Sequence, residues 1–398
     1  VVLRSQYHWR QEREVLDRAF SLVGPEDNAL KLEVALALGD SCVELGDMDA
    51  ALESFQHALN IAWRMRHHRS GARALQRIGV LERERGSHRV GYDHLLQALR
   101  LFESVNDTLG AAETCIELGR LMWFEAKFEQ ALNAYRRAEK LYRAMRNRAG
   151  LGLAVHCIGG GHFDRGDLDL ALEYLDDALE LRRRINDRRG IARTLTNVGV
   201  IRHSLSDFDR ALEAWEEANL IAIELGDLDA QATLANNIGE ILVDLGKTDK
   251  AQHYLERAVA MASDGDMALL HVDAMRNMGV LFASLGDWDA AHKTLQRAKE
   301  AADRLGLLRA IAMVARSLGD LGNMRHEAGD EQALKVSEGH YRRATHAFTK
   351  GGYDVEAAVS EEHLALLLER QGRTVEAKEA LARAAELKRP HRMSGEIA

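Results

Sequence analysis

The sequence predicts an all-α solenoid of stacked helix pairs, and three observations carry that expectation. Four kinds of residue recur every forty positions, seven times in unbroken register. Each forty-residue unit reads as two amphipathic helices back to back. The chain has 398 residues, too many for one ordinary core, and a repeat array escapes that limit because each unit packs only on its neighbours.

The unit is clearest from Thr233 to Ala258, TLANNIGEILVDLGKTDKAQHYLERA. Gly239 sits in the middle of the first helix. Gly246 ends it, because glycine takes the left-handed conformation without a Cβ penalty. Asp249 falls in the first turn of the second helix, near the positive end of its dipole. Ala251, Leu255 and Ala258 form an i, i+4, i+7 stripe.

The mid-helix glycine recurs as Gly39, Gly79, Gly119, Gly159, Gly199, Gly239 and Gly279. The small residue opening the second helix recurs as Ala51, Gly91, Ala131, Ala171, Ala211, Ala251 and Ala291. A large residue follows as Phe55, Leu95, Tyr135, Leu175, Trp215, Leu255 and Leu295, then an alanine as Ala58, Ala98, Ala138, Ala178, Ala218, Ala258 and Ala298. A mid-helix glycine costs roughly 1 kcal/mol against alanine. Seven placed alike imply helices so close that a side chain would clash.

This small, small, large, small pattern resembles the tetratricopeptide repeat (TPR) family, over about residues 32 to 388. The family's usual repeat has about 34 residues, an early tryptophan and a late proline. Here the period is forty, the proline is absent, and the tryptophan position holds Ala35, Leu75, Cys115, Val155, Leu195, Ala235 and Met275. The extra residues most simply lengthen the helices by about a turn or more in total. The forty-residue form resembles arrays of bacterial signalling regulators and animal polarity adaptors. The resemblance implies a right-handed superhelix of about nine helix pairs, the eighth irregular, with a concave groove lined mainly by the first helices.

Residues 1–24 read as an N-terminal helix or half repeat, with Tyr7 to Leu22 helical and Trp9, Leu16, Phe20 and Val23 near one face. Seven regular repeats fill 32–310, and irregular eighth and ninth repeats fill 311–388. The only prolines, Pro25 and Pro390, bracket the array. Polar junctions such as HHRSG, VNDTLG, RNRAG and DGDMA read as turns. In the eighth repeat Gly319 keeps register, with Gly322 and Gly329 following. Its second helix is expected at about Val336–Thr349, with Tyr341 and Ala344 in the key places and Glu331–Lys335 as an insertion. The ninth repeat shows Leu364, Ala365, Gly372, Ala377, Leu381 and Ala384, with alanine at the glycine position. The tail 389–398 is too polar to pack and is expected to fray.

Net charge is −9, with acids and bases interspersed. That argues against a nucleic-acid footprint, which needs a basic stripe. Cys42, Cys115 and Cys157 form no CxxC and read as free thiols of a reducing cytoplasm. No apolar run approaches a membrane span of about 18 residues, and no signal peptide opens the chain. Residue 1 is valine, so the chain reads as trimmed or cut from a longer protein.

Catalytic motifs are not found. Gly159-Gly160-Gly161 with Gly166 mimics a phosphate loop, but it lacks the Lys-Ser/Thr pair and sits mid-helix. The helix-packing role accounts for Gly159 alone, and Gly160 and Gly161 suggest a kink or a ligand's close approach. The 17 histidines show no HExxH and no metal-ligand spacing. No enzyme activity, cofactor or metal is expected.

The groove carries the functional signal. Two residues before each glycine stand Ala37, Arg77, Glu117, Cys157, Asn197, Asn237 and Asn277. A row of carboxamides, with Asn236 beside it, has the donors and acceptors to hold a peptide backbone. The competing reading is local packing or capping, although mid-helix asparagine is unfavourable for propensity. Trp123, Phe124 and Phe163 suggest an anchor pocket, or else they fill a narrow interior. Arg77, Arg83 and Arg120 lie near them, interleaved with Glu84, Glu117 and Asp164. The expected groove is thus basic and aromatic in repeats 2–4, and amide and acidic, with Glu240 and Asp244, in repeats 5–7. The first expectation is a non-catalytic module binding a protein or peptide segment, with no nucleic acid and no membrane. The alternatives are a sensing arm of a larger bacterial NTPase, kinase or transcription regulator, and a receptor for a small signalling peptide.

Overall fold

Forty residues divide into two helices of 17 residues and two links of three, as at Asn28–Glu44, residues 45–47, Met48–Arg64 and residues 65–67. The computed structural model describes residues 2–24, 27–264, 267–330 and 332–388. Pro25, Pro390, Glu331, part of the DGDMA junction and the tail 389–398 lie outside the described residues.

Helix α1 (Val2–Leu22) is followed by nine pairs: α2 (Asn28–Glu44) with α3 (Met48–Arg64), α4 (His68–Glu84) with α5 (His88–Ser104), α6 (Thr108–Phe124) with α7 (Phe128–Ala144), α8 (Arg148–Arg165) with α9 (Leu168–Arg184), α10 (Arg188–Ser204) with α11 (Phe208–Leu225), α12 (Leu228–Asp244) with α13 (Thr248–Asp264), α14 (Ala268–Ser284) with α15 (Trp288–Leu305), α16 (Leu308–Glu327) with α17 (Ala333–Lys350), and α18 (Asp354–Arg370) with α19 (Thr374–Leu387). The described residues hold no strand, and the fold is an all-α solenoid. No described helix is long and apolar enough to cross a membrane.

The links explain the period. Their middle residue turns left-handed, as at Gly46, Gly86, Gly246 and Gly286. Arg66, Asn106, Ala126, Arg146, Asn186 and Ser206 take the same turn without glycine. The third link residue caps the next helix in many copies: Asp47, Asp107, Asp187, Asp227 and Asp287 accept backbone N–H groups of Ala50, Gly110, Gly190, Ala230 and Ala290. Such a cap satisfies one of the orphan donors of a helix start.

The mid-helix glycines have the expected packing cause. A Cβ built on Gly79 would stand 2.7 Å from Leu95, on Gly159 2.9 Å from Leu175, and on Gly239 2.6 Å from Leu255. Gly39 meets Phe55 and Gly119 meets Tyr135 still more tightly. The alanines around these large residues are wholly buried.

The chain divides into two compact units, one ending at Leu205 and the other starting at Ser206. In the first, α4, α6, α8 and α10 touch in succession beneath their second helices; in the second, α12, α14, α16 and α18 do. First helices therefore form one face of each unit.

Four details differ from the sequence reading. Helix α1 starts at Val2, not Tyr7; it packs Leu16 and Phe20 on the first repeat's core, and the Trp9 carbonyl accepts from Ser41 Oγ at 3.2 Å. The first repeat opens at Asn28, because Asp27 supplies its cap to Leu30 N–H. In the eighth repeat α16 gains length, 20 residues, and α17 starts at Ala333 with Leu334 already buried. Residues 332–335 are thus link and helix start. Gly319 still packs on Tyr341, at 2.7 Å. In the ninth, Leu381 is 45% exposed while Ala380 is buried, and Ala365 is buried at the glycine position.

Candidate functional site

On the first-helix face of the first unit, α6, α8 and α10 enclose a cavity of about 350 Å³. Its aromatic side comes from Trp123, Tyr135 and Phe163. Trp123 Nε1 donates to the Asp164 carboxylate, which fixes the indole. Phe124 stands edge-on to Trp123 at 5.0 Å, is 55% exposed, and carries the Arg83 guanidinium over its ring at 5.6 Å. Trp123 and Phe124 stand at the rim, while Tyr135 is part of the core.

The glycine triplet divides by role. Gly159 packs on Leu175, and a Cβ on Gly161 would stand 2.8 Å from Leu132. A Cβ on Gly160 would meet nothing within 4 Å, and Gly160 lines the cavity. Its missing side chain leaves that stretch of the cavity wall open.

The polar lining mixes charged Arg120, Asp164 and Arg193 with neutral His156, Cys157 and Asn197. His156, 8% exposed, lies 3.2 Å from Thr194 Oγ1 through Nδ1. Arg182 donates to Thr194 Oγ1 and to the Gly190 carbonyl. Burial, and then the charges of Arg182, Arg193 and Arg120, push the His156 pKa down to about 3. The ring is therefore an uncharged hydrogen-bonding group. Burial pushes the Cys157 thiol up to about 11, so at neutral pH it is not a thiolate nucleophile. The cysteines are free, as expected; Cys157 is only half-buried.

A second cavity, about 430 Å³, lies beside the first and shares Leu153 with it. Arg77, Glu113 and Glu117 line it. Burial raises the Glu113 carboxyl pKa against the opposing field of Arg77.

The expected basic character of this region is corrected by its pairing. Arg77 Nε binds Asp40 at 2.9 Å. Arg120 Nη1 binds Glu117 at 2.6 Å, and Arg83 Nη2 lies 3.3 Å from Glu84 and 3.6 Å from Glu117. Each of these arginines has a carboxylate partner within the fold.

Tetratricopeptide-repeat family models match residues 32–62 and, in overlapping pieces, 152–218, 190–264 and 229–304. Over these residues the chain carries tetratricopeptide repeats. Solved structures share the fold. A Rap protein complexed with competence and sporulation factor is 16% identical, with 96% of this chain and 99% of that one covered at a TM-score of 0.55. The apo quorum sensor NprR from B. thuringiensis is 14% identical, covering 90% and 99% at 0.59. A STAND protein with a TPR sensor from Pyrococcus horikoshii is 16% identical, covering 92% of this chain and 53% of that one at 0.56. No curated protein sequence matches.

Within these TPRs the asparagines part ways. Asn197 lines the first unit's cavity. In the second unit Asn277, 3% exposed, donates through Nδ2 to Asn236 Oδ1 at 2.9 Å, and Asn236 is 6% exposed. Asn236 Nδ2 reaches Asn237 Oδ1 at 3.5 Å. The reading of Asn236 and Asn277 as free ligand donors is thus corrected: α12 and α14 touch directly, and the two amides bridge them. Beside this bridge Arg276 Nη2 pairs with Glu240 at 3.1 Å. Sequence reasoning missed His156, Glu113 and Arg193. The forty-residue spacing of Glu113, Leu153 and Arg193 was the available signal for two of them.

Proposed function

We propose that this TPR chain is a non-catalytic interaction module whose first-unit cavity takes an apolar side chain of a partner's peptide-like segment. The observation that carries this reading is Gly160, open beside Trp123, Phe163 and Asn197. An apolar side chain in such a pocket, ringed by aromatics, contributes about 2 kcal/mol or more in protein interfaces. Asn197 offers the neighbouring backbone a hydrogen bond worth roughly 0.5–1.5 kcal/mol net. Phe124 and Trp123 extend the contact at the rim, and Asn237 offers a further amide on the second unit's own first-helix face. Proteins of like fold include a Rap protein complexed with competence and sporulation factor and a Rap conjugation gene regulator in complex with the Phr* peptide. The free cysteines suit a reducing compartment such as the cytoplasm.

A second reading is the sensing arm of a larger signalling protein. The STAND protein of like fold, with its TPR sensor, favours it. Both readings place the ligand in the same cavity.

The test is hydrogen exchange on the whole chain, with and without a peptide selected on it from a random dodecapeptide display library. Slowed exchange in α6, α8 and α10 is expected. Protection confined to the second helices would overturn the proposal.

A further inference from the structure

We propose that the paired cavities select their ligand by charge, taking a basic group at Glu113 and an acidic group at Arg193 on either side of an apolar residue over Leu153. The inference rests on the cavity being the ligand site and adds what the ligand must carry. Glu113, Leu153 and Arg193 hold one place, six residues before the glycine, on α6, α8 and α10. Glu113 lines one cavity, Arg193 the other, and Leu153 both.

Both residues keep exposed surface, the Glu113 carboxyl is partly sunk in its cavity, and neither has a hydrogen-bond or ion-pair partner among the described residues. Their neighbours differ. At the same place in earlier repeats, Arg73 lies 3.7 Å from Glu33. Arg77 is held by Asp40, and Glu117 by Arg120 and Arg83. With these groups paired, Glu113 is the unpaired carboxylate of one cavity, facing the outward-paired Arg73 and Arg77, and Arg193 is the unpaired cation of the other, where the Asp164 carboxylate is taken up by the Trp123 indole.

Packed helix axes lie roughly 8–10 Å apart, so two steps span roughly 16–20 Å. Extended chain covers roughly 3.3 Å per residue, so five or six residues bridge the two charges. Complementary charge of this kind sets register and direction and rejects the reverse arrangement.

The test is selection of a random dodecapeptide display library on the whole wild-type chain and on the Glu113→Lys/Arg193→Glu variant. Wild type should enrich peptides with a basic and an acidic residue five or six positions apart around an apolar one, and the variant should enrich the reversed order. A wild-type-selected peptide should bind Glu113→Gln and Arg193→Gln roughly two- to fivefold more weakly, the scale of an exposed ion pair. Both sites are exposed, and circular dichroism melting checks that the variants fold as wild type does. An uncharged apolar consensus, or one consensus from both chains, would overturn the charge rule and leave the cavity reading standing. Failure to enrich any peptide would overturn both.

Discussion

Asn197 and Asn277 occupy one place in two repeats and do different work. Periodicity reveals that they share a position; it does not reveal how near the next helix comes. Where α14 meets α12, the amide of Asn277 is buried against Asn236; Asn197 opens on a cavity. Asn277→Ala should therefore cost about 1–3 kcal/mol, because it leaves a buried Asn236 oxygen without its donor. Thermal melting checks this, with Asn197→Ala expected to lie within about 0.5 kcal/mol of wild type. His156 gives a second residue-scale expectation. Its pKa of about 3 lies below the ordinary 6.5, so below pH 6.5 the unfolded chain binds a proton that the folded chain refuses. This contribution to stability is whole above pH 6.5 and falls away as pH drops toward 3. At pH 5 the loss should be about 2 kcal/mol. Melting temperatures of wild type and His156→Gln across pH 4–7 should converge toward the acid end if burial of the neutral ring is the cause.

At the scale of the helix and its link, the forty-residue period was fully legible, because seven glycines and seven large residues recur at one spacing. The division of each forty into equal helices and three-residue links was only half legible. Glycine marks some left-handed link residues, but Ala126 adopts the same turn at φ 56° and nothing in its identity announces it. The left-handed conformation costs an L-residue roughly 1–2 kcal/mol, and part of that returns as the added freedom of glycine in the unfolded chain. Ala126→Gly should raise stability by about 0.5–1 kcal/mol, read as a higher melting temperature. No change would mean that the turn carries no strain at this residue. The start of α17 was misplaced because Leu334 and the residues before it lack the glycine and alanine signature. Its place is set by tertiary packing, with Gly319 against Tyr341 and Gly322 against Ser337.

Across the whole molecule, the sequence showed where the repeats are and which face to search, but not which charges remain unmatched. Arg77, Arg83 and Arg120 read as a basic patch until their carboxylate partners are placed beside them. Glu113 and Arg193 became visible only once those pairs were removed. On α8 one glycine, Gly159, packs against Leu175, and the next, Gly160, is the one proposed to face the ligand. The most direct measurement is thermal melting, together with affinity for a display-selected peptide, for Gly159→Leu and Gly160→Leu side by side. Gly159→Leu should lose stability by about 1–3 kcal/mol through overpacking against Leu175. Gly160→Leu should melt at or above wild type, since leaving glycine gains roughly 1 kcal/mol of helix propensity, and should lose the peptide. A Gly160→Leu chain that binds as wild type does, or a Gly159→Leu chain that melts as wild type does, would contradict this division of roles.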